Sequence, residues 1–252
     1  MEPYLIRKHS DGLLVFTINR AEKRNAVNDE IMNGLEEAVA LAHEKDVKAF
    51  VITGAGEKAF CSGGDLTVFH QLHTEQEAYG MLSKMSHILT KIFLLPKPTI
   101  ALMNGTAVGG GCEVAAACDF RIARKGIKAG FIQGTLAITT GWGGGTMILE
   151  KLPPAKGLKM LLEAGLYYTE ELQELGFVDY VYEGDPEEGL QTFVQQMLKL
   201  EPNVTAAYKE ILIRRWKDAG VSEKIEAEVR RCAELWEHDA HHKQVEKFLN
   251  KK

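Results

Sequence analysis

Apolar residues recur along this chain with two different periods, and the switches between them mark out its elements. Residues 4–8 and 13–19 are rich in β-formers and flank a turn at Ser10, Asp11 and Gly12, so both read as strands. From Asn28 the period becomes helical: Ile31, Leu35, Ala38, Val39 and Ala42 share one face, Asn28 or Asp29 caps the start, and the run reaches about Lys45. Residues 49–53 form a short apolar run of β-formers closed by Gly54-Ala55-Gly56. A long helix over 76–95 stops at Pro96 and Pro98, because proline has no N–H to continue it. Residues 99–103 read as a buried strand, 113–118 as a helix and 120–123 as a strand. Strands alternating with helices predict an α/β class.

From Pro154 the pattern is nearly all helical, with candidates at 157–165, 169–175 and 186–200 and no strand signal over 204–248. Glu201-Pro202-Asn203 reads as the boundary between an α/β core, residues 1–200, and a helical tail, residues 201–252. There is no clean repeat, low-complexity segment or heptad array.

A chain of 252 residues, 45% hydrophobic and 26% charged, can bury a full core. Its net charge of -5 argues against a general nucleic-acid surface, which needs a dominant basic patch. The cysteines, Cys61, Cys112, Cys118 and Cys232, form no CxxC pair and no zinc spacing. Free thiols fit a reducing compartment. The first residues lack the apolar run of a signal peptide and no stretch is long enough to span a membrane, so a cytoplasmic protein without a membrane partner is expected.

Three glycine clusters each follow an apolar strand: Ser62-Gly63-Gly64-Asp65, Asn104-Gly105 through Gly109-Gly110-Gly111, and Gly141-Trp142-Gly143-Gly144-Gly145. Glycine lets a ligand approach the main chain closely. At Gly109 to Gly111 a strand hands over to a helix, whose first amides have no internal partner and favour negative charge, either an oxyanion or a phosphate. Gly54-x-Gly56-x-x-Ala59 formally matches a dinucleotide fingerprint, but residues 58–61 look like another strand where that motif needs a helix. There is no P-loop and no GxSxG elbow.

Taken together, NRAEKRNAVN (19–28), KAFCSGGDL (58–66), KPTIA (97–101), the 104–113 stretch ending in Glu113, and CDFRIA (118–123) resemble the enoyl-CoA hydratase/isomerase family, the crotonase superfamily, in order and spacing. The resemblance is close over residues 4–180 and looser in the tail. It implies an α/β fold built as a spiral of repeated β-β-α units with a helical C-terminal region that serves trimerisation, and a homotrimer or a hexamer made as a dimer of trimers. It also implies an acyl-CoA substrate, with coenzyme A as part of that substrate and no metal or redox cofactor. The family's oxyanion hole falls on the amides of Gly64 and Gly110. Arg20, Lys23, Arg24 and Ala26 fall on its first coenzyme A contacts, with Ser62, Asp65 and Leu66 beside them.

Family hydratases use two glutamates as paired acid and base. Glu113 matches the first, with a capping or salt-bridging role as its structural alternative. The second is expected about twenty residues on, where Gln133 stands, and no Asp or Glu lies between Asp119 and Glu150. Glutamine can orient a water or a carbonyl but cannot move protons at neutral pH. Hydratase/isomerase chemistry is the default expectation. A malonyl-type decarboxylase, which needs the oxyanion hole most, and a non-catalytic acyl-CoA binder remain open, and Trp142 resembles decarboxylase-like relatives. His70 and His73 lie where the family places its variable acyl pocket. His238, His241 and His242 have helical spacing but read as a surface helix rather than a metal cluster. Ser62 lacks an evident base for nucleophilic work.

Overall fold

Two sheets grow side by side as the chain advances. The structure, a computed structural model, describes residues 2–250; Met1 and residues 251–252, the outer ends of the two expected regions, lie outside the described residues. β1 (Tyr4–Lys8) and β2 (Leu13–Ile18) form an antiparallel hairpin, and β3 (Ala49–Gly54), β5 (Thr99–Met103), β7 (Phe120–Arg124) and β10 (Tyr180–Tyr182) add in parallel, in the order β1-β2-β3-β5-β7-β10. Every residue of β5 is buried, as a parallel strand covered on both faces requires. The second sheet runs β4 (Ala59–Cys61), β6 (Thr106–Val108), β8 (Lys128–Gly130) and an antiparallel β9 (Tyr167–Tyr168).

The pairs β3–β4, β5–β6 and β7–β8 each place one strand in each sheet, and each pair is followed by helix. These are α2 (Leu66–Phe69) and α3 (Glu75–Phe93), then α4 (Gly110–Ala117), then α5 (Gly144–Lys151) and α6 (Pro154–Glu163). That is the β-β-α spiral the resemblance implies. The rejected dinucleotide motif leads into β4 rather than a helix.

Before the spiral, α1 (Asp29–Ala42) starts where Asn28 accepts the Ile31 amide at 3.2 Å, and it buries the expected face. It ends three residues short of Lys45. A Thr74–Glu77 capping box starts α3. Its inner face buries Leu82, Met85, Leu89 and Ile92, each worth about 1.5–3 kcal/mol relative to exposure.

α9 (Pro202–Asp218) follows, with Glu201 as its N-cap residue, and opens the helical C-terminal stretch. It is no appendage. The Trp216 ring of α9 lies 4.0 Å from Phe93, and α10 (Val221–Trp236) packs along α3 with Ile225, Val229, Cys232 and Trp236 in the main core. α11 (Asp239–Leu249) follows.

The region after Pro154 is less uniformly helical than its periodicity implies. α7 (Thr169–Leu175) stands as expected, but β9 and β10 lie on either side of it. The expected helix 186–200 divides into α8 (Pro186–Val194) and a 3-10 turn, Met197–Lys199. β10 is held to β7 through Asp179, which accepts the Arg121 amide and pairs with its guanidinium, both at 2.7 Å. Among the described residues no helix is long and apolar enough to cross a membrane, and no group of side chains could hold a metal ion.

Candidate active site

The first amides of α4 open onto a cavity of about 270 Å³. Gly63, Gly64, Gly109 and Gly110 line it, with Leu66, Phe69, Leu82, Trp142 and Trp236 forming apolar wall. The two glycine loops meet here: a Cβ on Gly63 would lie 3.1 Å from the Gly110 nitrogen. Gly64 and Gly110 both abut the Trp142 indole, and a Cβ on Gly110 would fall 2.3 Å from Trp142 Cζ3, so only glycine fits there. Among the described residues no acceptor takes the Gly64 or Gly110 N–H. Both donors, one at a helix N-terminus, are left for a ligand oxygen.

Glu113 sits one turn into α4 and is 2% exposed. Its Oε2 accepts from the Trp142 and Gly144 amides at 2.8 and 2.9 Å. Its Oε1 accepts Gln133 Nε2 at 2.8 Å and a longer approach from the Gly141 amide at 3.4 Å. A Cβ on Gly144 would strike Glu113 Cγ at 2.4 Å, so a glycine there lets the carboxylate reach the start of α5. Glu113 therefore does what its structural alternative foresaw, capping a helix, although the helix is α5 and not its own. Glu228 of α10 caps the same helix from the other side, through Thr140 Oγ1 and the Gly145 and Thr146 amides. Burial, then the nearby Glu228 charge, push the Glu113 carboxyl up to about 7, and the backbone N–H groups only partly offset this.

Gln133 opens a 3-10 turn, Gln133–Leu136, and is 8% exposed. Its Oε1 is buried without a partner, an arrangement that costs about 1–3 kcal/mol unless a ligand or water completes it.

The other expected contacts divide. Arg24, Ser62 and Leu66 line the cavity, and Lys23, next to Arg24 in sequence, is exposed and does not line it. Arg20 is committed to the protein: its guanidinium pairs with Asp65 at 2.8 Å and donates to the Ala26 carbonyl at 2.6 Å. Asp65 also caps α2 through the Thr67 amide and hydroxyl. Burial works against its charge, but Thr67 and Arg20 outweigh burial and hold the carboxyl below its usual range. Arg20, Ala26 and Asp65 thus brace one another, so the Arg20 guanidinium is already engaged with protein at the position expected for a coenzyme A contact. No base hydrogen-bonds the Ser62 hydroxyl among the described residues.

His70 and His73 are exposed and do not line the cavity. His241 is the correction on the histidine side. It is 1% exposed, its ring centroid lies 4.6 Å from that of Trp236 at a tilt of 46°, and it lines the cavity. Its Nδ1 lies 2.8 Å from the Leu136 carbonyl, which can only accept, so Nδ1 carries hydrogen; burial lowers the imidazole pKa and keeps the ring neutral. Cys232, Trp236 and His241 from the tail escaped the sequence reading. The stripe Val229, Cys232, Trp236 at helical spacing was the available signal.

A second cavity, about 470 Å³, lies between α9 and the core. Three of its cations are engaged: Lys209 pairs with Asp119, Arg121 with Asp179, and Lys151 donates to the Ala116 and Cys118 carbonyls; Arg215 also lines it.

A β-β-α spiral whose cavity opens at the glycine-rich start of a buried helix, closed by its own C-terminal helices, is the crotonase architecture. The family profile described as enoyl-CoA hydratase/isomerase matches residues 8–252, and the chain belongs to that family. An ethylmalonyl-CoA decarboxylase of Xenopus laevis is 32% identical over 213 residues, covering 82% of this chain and 71% of that protein. A short-chain-enoyl-CoA hydratase of Clostridium acetobutylicum is 31% identical over 207 residues, covering 81% and 78%. Among solved structures, an enoyl-CoA hydratase from Bacillus halodurans matches with a TM-score of 0.88 at 23% identity, covering 97% of this chain and 99% of that one.

Proposed function

We propose that this chain acts on an acyl-coenzyme A thioester and that its reaction is decarboxylation of a malonyl-type thioester, R–CH(COO⁻)–CO–S–CoA. One observation supports this choice over the other reactions of the family. Glu113, the one carboxylate lining the cavity among the described residues, already accepts four protein donors, and the position expected to hold its catalytic partner is the non-ionisable Gln133. Hydration needs a base free to take a proton from water and an acid to serve the α-carbon. Breaking the bond to the carboxylate needs neither. Its electron pair moves into the enolate, carbon dioxide leaves, and charge collects on the thioester oxygen between the Gly64 and Gly110 amides. The α-carbon then takes a proton from Glu113 in its acid form or from water, giving the acyl thioester. The apolar wall disfavours the localised charge of the substrate carboxylate and so favours moving it to the thioester oxygen. Ethylmalonyl-CoA decarboxylases at 30–32% identity agree with this reading.

A second reading, hydratase or isomerase, draws on a different observation: Glu113 lines the cavity with its carboxyl pushed up to about 7, suited to taking and returning a proton. In either reading Lys23 and Arg24 meet the coenzyme A phosphates, no metal or redox cofactor takes part, and the free buried thiols favour the cytoplasm. The assembly we assign is a trimer or a dimer of trimers. The test gives purified protein ethylmalonyl-CoA, methylmalonyl-CoA, crotonyl-CoA and a 3-enoyl-CoA and identifies each product by mass. Carbon dioxide release is expected. Hydration or isomerisation without it moves the assignment to the second reading, and binding without any product makes the chain a binder.

A further inference from the structure

The Gln133 carboxamide is a two-sided group held on one side only. Nε2 is tied to Glu113 Oε1 at 2.8 Å, while Oε1 is buried and without a partner; the residue as a whole lines the cavity. A half-turn of the amide exchanges donor for acceptor without changing its shape. Which side faces Glu113 depends on that carboxyl's proton. Glu113 Oε2 is pinned by two short backbone N–H bonds, whereas Oε1 faces Gln133 and receives only one further, long approach at 3.4 Å. A proton on Glu113 therefore resides on Oε1, and an O–H there can donate to the Gln133 oxygen but not to its NH₂.

We propose that Gln133 is the residue that recognises the substrate carboxylate, and that it does so only when Glu113 Oε1 carries a proton: the amide turns, accepts the Glu113 O–H, and offers Nε2 to the carboxylate. This rests on the malonyl-type reading of the site. With Glu113 ionised, an anionic ligand that reaches the Gln133 amide would meet a carbonyl oxygen backed by a carboxylate, and is excluded. Binding draws one proton onto Glu113. Passing that proton to the enolate carbon after carbon dioxide leaves restores the ionised carboxylate and turns the amide back, so substrate plus one proton becomes acyl thioester plus carbon dioxide. Burial already pushes Glu113 up to about 7, so the proton is gained near neutral pH. The other titratable groups facing Glu113 are Glu228 and Cys232 of α10 and Cys112 of its own helix; Arg24 and His241 face the cavity. Glu228 is held by three donors of its own, and His241 already donates to the Leu136 carbonyl.

The test uses two unreactive thioethers, carboxyethyl-CoA and propyl-CoA, titrated calorimetrically into the full-length protein at pH 6 to 9 in buffers of different ionisation enthalpy. Carboxyethyl-CoA is expected to take up one proton near pH 8 and to weaken about tenfold per pH unit above 7; propyl-CoA is expected to do neither. Gln133→Leu should abolish both the uptake and the slope while keeping its affinity for propyl-CoA, which reports an intact cavity. Glu113→Gln, whose NH₂ donates permanently, should favour the carboxylate ligand at every pH. Carboxylate binding by the wild type without proton uptake overturns the proposal. So does a Gln133→Leu protein that retains the slope, and loss of the preference for carboxyethyl-CoA over propyl-CoA in Arg24→Ala but not in Gln133→Leu assigns recognition to Arg24 instead. Carbon dioxide release from ethylmalonyl-CoA without proton-linked binding removes the coupling and leaves the decarboxylase reading. Proton-linked binding without carbon dioxide release does the reverse.

Discussion

Replacing Glu113 by Gln should change the pH dependence of stability in one direction and by a calculable amount. In the folded protein burial and Glu228 raise the Glu113 carboxyl to about 7, from an ordinary value of 4.5. Between those two values the folded state holds a proton that the unfolded chain has released. The stability this group contributes is thus fully present below 4.5 and lost as pH rises through 7. The shift corresponds to about 3 kcal/mol. Glutamine does not titrate, yet it keeps an oxygen for the Trp142 and Gly144 amides and an NH₂ for Gln133 in the turned orientation. Urea unfolding of both proteins at one protein concentration, from pH 4 to 8, gives the difference, in which titrating groups that do not interact with Glu113 cancel. The gap should move in the variant's favour by about 3 kcal/mol between pH 4.5 and 7.5. Parallel stability curves would refute the reasoning, because Glu113 would then titrate alike in both states.

Three further outcomes follow from the geometry. Gly110→Ala places a methyl 2.3 Å from Trp142 Cζ3 and displaces the amide from its aim; turnover should fall about 10²- to 10³-fold while the coenzyme A portion still binds, read as kcat against KM. Arg20→Ala leaves Asp65 buried without its partner and should cost about 3 kcal/mol in urea unfolding. The Lys23→Ala, Arg24→Ala pair should raise KM about tenfold with kcat retained, and the loss should shrink at high salt, as expected of phosphate contacts made by exposed cations.

The pattern of apolar residues placed β1, β3, α1, α3 and α7 well, because each carries its period over a full element or ends at a capping or helix-breaking residue. It did not show β6, β8, β9 and β10, which span two or three residues and have no period to read. At the site, Gly64, Gly110, Glu113 and Gln133 were legible because glycines after strands and a missing carboxylate are statements about residue type, and the structure gathers all of them at one cavity. What each contact binds was less legible. Arg20 and Asp65 look like ligand contacts in a linear motif, and only the fold reveals that they pair with each other across 45 positions. His241 reads as surface by spacing, yet the turn into α11 lays it on Trp236.

Catalysis by this site depends on the Gly64 and Gly110 amides receiving one thioester oxygen. A crystal structure with an unreactive thioester analogue that retains the carbonyl measures this directly. The carbonyl oxygen should lie about 3 Å from both nitrogens, beneath the Trp142 indole. An oxygen bound elsewhere, with either amide facing protein or empty space, would contradict it.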